Sequence, residues 1–257
     1  MVSSERASLL GCSVDLLGRA ELLHRAMEAG LGRAPRLRIE GLNVAKLVDA
    51  RRDLELRQAL AHAEIVHVDG QGIALGLAAF GIASERYAGI DLMQDLCAQA
   101  SRAELGVYLL GAQPEIVAAT AQRLRQRWPS LRIAGQRDGY FGRDEEPAVI
   151  DAINASGAAF LFIGISSPKK EIFVRDNWQR LTVPVAMGVG GSFDVLSGRL
   201  RRAPRWVQKI GMEWLFRLCL EPRRLLMRYV RTNAVYAWLL ARAWVSLRSV
   251  GIKGEAR

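Results

Sequence analysis

Apolar positions along the chain follow two periods. Short apolar runs at residues 37–40, 65–68, 106–111, 131–133, 159–164 and 183–189 read as strands. Between them lie longer stretches at helical spacing: 14–30, 44–52, 54–62, 73–80, 92–103, 114–128, 148–154 and one opened by Pro168. This alternation predicts an α/β fold, a Rossmann-like and mostly parallel sheet with helices on both faces. The run 159–164 is apolar throughout and suits the centre of that sheet. After Pro222 the pattern changes to a helix running to about residue 249. On it Arg224, Arg228, Arg231 and Arg242 share one stripe, while Leu226, Tyr229, Leu240, Trp244 and Leu247 fill other faces.

Composition adds little until charge is located. Half of the 257 residues are hydrophobic, enough to bury one full domain and carry an appendage. From Arg199 onward there are 14 basic and 3 acidic residues, against 22 and 23 before it, so the net charge of +10 resides at the C-terminal end. The expected division is an α/β core over residues 1–198 and a basic, amphipathic helical appendage over 199–257. A basic end that also carries tryptophan suits a polyanionic surface, either anionic lipid or nucleic acid. Cys12, Cys97 and Cys219 are scattered, without zinc or redox spacing, which fits a reducing cytoplasm. The N-terminal apolar stretch is interrupted by charge and does not read as a signal peptide. No apolar run approaches the roughly 18 residues of a spanning helix.

The candidate chemistry gathers where strands give way to helices. Asp69 follows the strand 65–68 and precedes Gly70-Gln71-Gly72 and an apolar helix. Ligands bind at that edge of an open α/β sheet, so Asp69 fits a general base; its spacing fits a helix cap equally well. Asn43 closes the turn Gly41-Leu42-Asn43 and by spacing is a cap. His62 and His67 lack metal-ligand spacing and read as structural. Arg86 and Asp91 sit in a loop leading into a helix, and Asp91 reads as a cap for that helix. Gly111 ends a strand, but Gly-Ala-Gln-Pro is not the dinucleotide fingerprint. Tyr140 and Phe141 fit either stacking on a base or anchoring a loop. Lys169 and Lys170 occupy a helix's first turn, where cations oppose the macrodipole unless an anion is shared; a diphosphate would serve. Gly190 and Gly191 allow close backbone approach, and Asp194 can accept from a ribose or base edge, or the three form a capped tight turn.

The runs VDGQGI and ERYAGIDLM, followed in order by LLGAQPE, DGYF, FIGISSPKKE and MGVGGSFDVLSGRLRRAPRW, resemble the WecG/TagA/CpsF glycosyltransferases. These are bacterial enzymes that extend lipid-linked saccharides toward cell-envelope polymers, and the resemblance spans roughly residues 37–233. It implies a UDP-sugar donor, carrying an N-acetylmannosamine-type sugar or a hexose, and a polyprenyl-diphosphate-linked saccharide acceptor. Under it Asp69 is the catalytic base, and Asn43, Arg86, Gly111, Tyr140, Phe141, Lys169, Lys170, Gly190, Gly191 and Asp194 bind substrate. Arg201, Arg202, Arg205, Arg224, Arg228 and Arg231 then meet the membrane or the lipid diphosphate. Two positions depart from the pattern: Gly41 stands where the family carries threonine, and Lys170 where many relatives carry glutamine.

A single base acting on the acceptor implies inversion at the anomeric carbon. The chain contains no Asp-x-Asp pair to bridge a metal to the diphosphate, so cationic side chains are expected at the leaving group. No cofactor, no metal and no nucleic-acid partner are expected, and the protein is expected at the inner face of the bacterial cell membrane as a peripheral protein. Self-association into a homo-oligomer is left open. The rival is a nucleotide- or nucleic-acid-binding α/β protein with a basic tail. A dinucleotide oxidoreductase would need a glycine fingerprint, followed by an acidic residue about 20 positions on, that this chain lacks.

Overall fold

The computed structural model describes residues 6–249, apart from the side chains of Lys209, Arg224 and residues 247–249. Within this range eight strands form one sheet: β1 (Arg6–Leu9), β2 (Cys12–Asp15), β3 (Leu37–Leu42), β4 (Ile65–Val68), β5 (Gly106–Gly111), β6 (Arg132–Arg137), β7 (Phe160–Gly164) and β8 (Val185–Gly188). Their order is β1-β2-β4-β3-β8-β7-β5-β6, and every neighbouring pair is parallel except β1 and β2. The mostly parallel α/β sheet expected from the pattern is therefore present.

Alternation along the strands divides the core. Val107, Leu109, Phe160 and Phe162 face a layer made by α1 (Arg19–Gly30), α5 (Gly89–Arg102) and α6 (Pro114–Arg127). On the opposite face, Tyr108, Leu110, Leu161 and Ile163 meet α7 (Glu146–Ala155) and α8 (Lys169–Asn177). That face continues over Val66 and Val68 with α2 (Val44–Ala50), α3 (Leu54–Ala61) and α4 (Gln71–Ala79). Strands covered on both sides read as unbroken apolar runs, which is why their positions were legible.

The amino-terminal segment differs from its expectation as one helix over 14–30. Cys12–Asp15 is a strand, and the helix starts only at Arg19. Leu10 and Gly11 both adopt left-handed backbone, at φ 52° and 87°, and make the two-residue connection of a hairpin. Leu9, Cys12 and Val14 are buried beneath it.

After β8 the chain forms α9 (Ser192–Leu196), α10 (Arg205–Lys209), α11 (Glu213–Leu220) and α12 (Pro222–Ser249). The last begins within a residue of its expected start and lies on the body. Tyr236 joins the core that holds Leu9 and Leu77, and its hydroxyl donates to the Gly72 carbonyl at 2.8 Å. A Cβ on Gly76 would lie 2.0 Å from that hydroxyl oxygen, so only glycine leaves room for the ring. Among the described residues no helix is long and apolar enough to cross a membrane.

Candidate active site

Chain order fixes where the site lies. The path steps outward from β3 to β4, then crosses to the other half of the sheet at β5, which leaves β3 and β8 side by side at the middle. Ligands of open α/β sheets bind beyond the carboxyl ends of strands at such a reversal. Asn43, Asp69, Gly111, Gly164 and the Gly190-Gly191 turn all stand at that edge.

Asp69 is half-buried just past the end of β4. Its backbone N–H and that of Gly70 both donate to the Leu42 carbonyl, at 3.1 and 3.3 Å, which stitches this turn to the end of β3. The carboxylate does not cap the helix that follows it, since α4 has no side-chain cap. Instead Oδ1 accepts from the N–H of Gly89, the first residue of α5, at 2.7 Å. The macrodipole of α5 favours negative charge there. Among the described residues Oδ2 takes no hydrogen bond. Asn43 is the cap its spacing suggested, its side chain accepting from the Lys46 N–H at 3.0 Å. It also packs against the Asp69 turn: a Cβ on Gly70 would lie 3.1 Å from Asn43 Cβ.

The loop between α4 and α5 brings Arg86 to the same edge. Its guanidinium donates twice to Glu213 of α11, both at 3.2 Å. Glu213 is shared with Arg202, at 3.6 Å, and Arg202 also holds Asp91 through two hydrogen bonds of 2.7 and 2.6 Å. Asp91 is thus an ion-pair partner rather than the helix cap its spacing suggested; the N-cap of α5 is Ala88. Arg217, which sequence reasoning missed, reaches over the turn after β8, where a Cβ on Gly191 would lie 2.8 Å from its Nη2. Its place depends on the tail folding back, which leaves no local pattern.

Glycines line the other half of the edge. Gly111 has a φ of 129°, and a Cβ there would lie 2.5 Å from the Gly164 carbonyl carbon. Phe141 anchors its loop, edge-on to Phe173 at 5.8 Å, whereas Tyr140 is 72 % exposed. Beside them a cleft of about 340 Å³ is lined by Pro114, Val117, Gln136, Arg137 and Asp138. Gly190 takes a φ of 50°, and Asp194 in the first turn of α9 lies 3.8 Å from Arg199. Among the described residues no cluster of three His, Cys, Asp or Glu side chains suits a metal ion.

Residues 7–250 match the model of the glycosyl transferase WecG/TagA/CpsF family. The chain belongs to that family. It is accordingly a glycosyltransferase of cell-envelope polysaccharide biosynthesis, with a sugar donor and an acceptor as substrates.

The two departures from the family's pattern have structural counterparts. A Cβ on Gly41 would lie 2.9 Å from Asp69 Cβ and 3.1 Å from His67 Nε2, so the room for a larger residue is already taken. Lys170 is 3 % exposed and enclosed by side chains. Its Nζ donates to Glu171 and lies 3.8 Å from Glu40, and Glu40 and Glu171 are each 2.9 Å from Lys46 Nζ. The anion that its position demanded is thus supplied by protein carboxylates; Lys169 beside it is exposed. The tail arginines divide. Arg201, Arg205, Arg228 and Arg231 are exposed, with Arg228 and Arg231 3.9 and 3.2 Å from Asp49. Arg202 is half-buried, drawn inward by Asp91 and Glu213. The side chain of Arg224 lies outside the described residues.

Proposed function

We propose that the chain is an inverting, metal-independent transferase that moves a sugar, N-acetylmannosamine-type or a hexose, from a UDP-sugar to a polyprenyl-diphosphate-linked saccharide. The observation that carries this reading is Asp69: a carboxylate at the ligand-binding edge of the sheet, held through one oxygen by the amino terminus of α5. The second oxygen serves as the base that takes the proton from the acceptor hydroxyl as that oxygen attacks the anomeric carbon. Fixing one oxygen orients the other at little entropic cost when the substrate binds.

Leaving-group stabilisation falls to cations. Arg86 offers two N–H groups that now converge on one oxygen of the Glu213 carboxylate, and a guanidinium with two free donors can take a phosphate in its place. In this reading Glu213 stands in for the donor diphosphate and gives way to it. Arg217 over Gly191 and exposed Lys169 supply further positive charge on the β8 and β7 sides. Asn43, Gly111, Gly190, Gly191 and Asp194 frame the nucleotide, and exposed Tyr140 is free to stack on the uracil, while Phe141 holds the loop. Buried Lys170 keeps the edge in place from beneath.

Residues 199–257 are read as a membrane-association appendage. Trp206, Ile210, Met227, Val230, Trp238 and Val245 are more than half exposed. Arg201, Arg205, Arg228, Arg231 and Arg242 are interleaved with them, a mixture that suits the interface of an anionic bilayer. A lipid-linked acceptor would be met at that surface.

A screen of UDP-sugars with a synthetic lipid-diphosphate acceptor, with and without EDTA, tests the reading. One donor is expected to support transfer, at an undiminished rate in excess chelator. Loss of activity with EDTA, restored by magnesium or manganese, would contradict the leaving-group chemistry.

A further inference from the structure

His67 lies in β4, two residues before Asp69. It is 1 % exposed, and neither ring nitrogen makes a hydrogen bond. An imidazole sealed from water ordinarily satisfies at least one nitrogen, so two orphans in one ring are a cost that calls for a reason. The ring and the base border one small space. His67 Nε2 and the Asp69 carboxyl carbon lie 3.1 and 3.2 Å from a single point, the place a Cβ on Gly41 would occupy. Glycine at 41 keeps that space open to both groups.

We propose that His67 is a positioning residue for Asp69, its neutral ring nitrogen accepting a hydrogen bond from the carboxylic acid that Asp69 becomes on taking the acceptor's proton. The inference rests on the reading of Asp69 as the base. A neutral imidazole carries one N–H, so this role places the ring proton on Nδ1 and leaves Nε2, the nitrogen nearer the carboxylate, as an acceptor that finds its donor only when Asp69 is protonated. The acceptor O–H bond breaks, its oxygen bonds to the anomeric carbon as the bond from that carbon to the donor diphosphate breaks, and UDP leaves with the electron pair. The proton settles on Asp69, where the ring stabilises it. The imidazole stays uncharged throughout, and the proton remains on the carboxyl oxygen.

The charges around the ring bear on its neutrality. Burial pushes the His67 imidazole below its ordinary value; Asp69 and Glu40 pull it up, Lys46 pushes it down, and the nearby Tyr87 backbone, outside hydrogen-bonding geometry, pulls it up. The net direction is downward, toward a neutral ring at the pH of the reaction.

His67→Phe, His67→Gln and Asp69→Asn in the full chain test this. The readouts are kcat and donor KM for transfer, with the UDP-sugar selected by the donor screen, and the ring Cε1 proton of His67 by NMR across pH. Loss of one hydrogen bond to the acid form is expected to lower kcat about 3- to 10-fold in the Phe variant with donor KM unchanged. His67→Gln, whose carbonyl can accept the same hydrogen bond, should recover most of that rate. The ring signal should not titrate between about pH 6 and 9. A Phe variant with the parent's kcat, a Gln variant no better than Phe, or a ring titrating in the ordinary range would each overturn the proposal. If His67→Phe does not fold, His67→Gln and the NMR titration still decide. Normal transfer by Asp69→Asn would instead remove the reading on which the proposal stands.

Discussion

Glu40, Lys46, Lys170 and Glu171 are each 6 % exposed or less, two acids and two bases with almost no solvent between them. Burial pushes the Glu171 carboxyl up, but Lys46 and Lys170 outweigh it and hold it at about 2. A carboxyl lowered in the folded state contributes stability that is present above its ordinary value and lost as the pH falls from there toward about 2. From the ordinary 4.5, that contribution is about 3 kcal/mol. Glu171→Gln leaves two buried lysines facing Glu40 alone and should cost about 3–5 kcal/mol in urea unfolding at neutral pH. The two lysines are not equivalent. Burial lowers both, but Glu40 and Glu171 carry Lys46 upward overall, whereas Lys170, pushed down also by Lys46, stays lowered. Lys46→Met should therefore destabilise more than Lys170→Met, and equal or reversed losses would contradict this account. The sequence placed Lys170 in a helix's first turn and required an anion there. It could not say that the anion is part of the protein, because Glu40 arrives from a distant strand.

Elements were legible where local chemistry alone decides them. The turns after β3 and β4, the proline that opens α6 and the apolar run of β7 all stand as their residues dictate. The β1–β2 hairpin was not, because its strands have four residues each and helical spacing in 14–30 masked the second. Nor could periodicity tell which side of α12 meets the body, since apolar residues occupy several of its faces. Tyr236 decides that contact. Tyr236→Ala should cost about 3–5 kcal/mol by opening a cavity between α12 and α4. Tyr236→Phe, which removes only the hydrogen bond to Gly72, should cost about 1 kcal/mol. Thermal unfolding of the two variants checks the pair, and an Ala variant as stable as the Phe variant would mean that α12 is not docked through this ring.

At the scale of the molecule, charge and chemistry are separated along the chain: the positive excess lies after residue 198, and Asp69 before it. Each arginine near an anionic bilayer contributes about 1 kcal/mol, so neutralising Arg224, Arg228 and Arg231 together should weaken vesicle binding by roughly 3 kcal/mol, on the order of a hundredfold. High salt should weaken binding without abolishing it, because the exposed Trp206 and Trp238 rings are not screened. Vesicle binding by the triple variant equal to the parent's would favour the tail as a lid whose arginines serve the substrate phosphates. The account as a whole turns on one carboxylate, and the most direct measurement is the rate of sugar transfer by Asp69→Asn with donor binding measured alongside. The fold and the donor affinity should persist while transfer falls roughly 10²- to 10⁴-fold, the usual cost of losing a general base. Near-normal transfer by that variant would contradict the account.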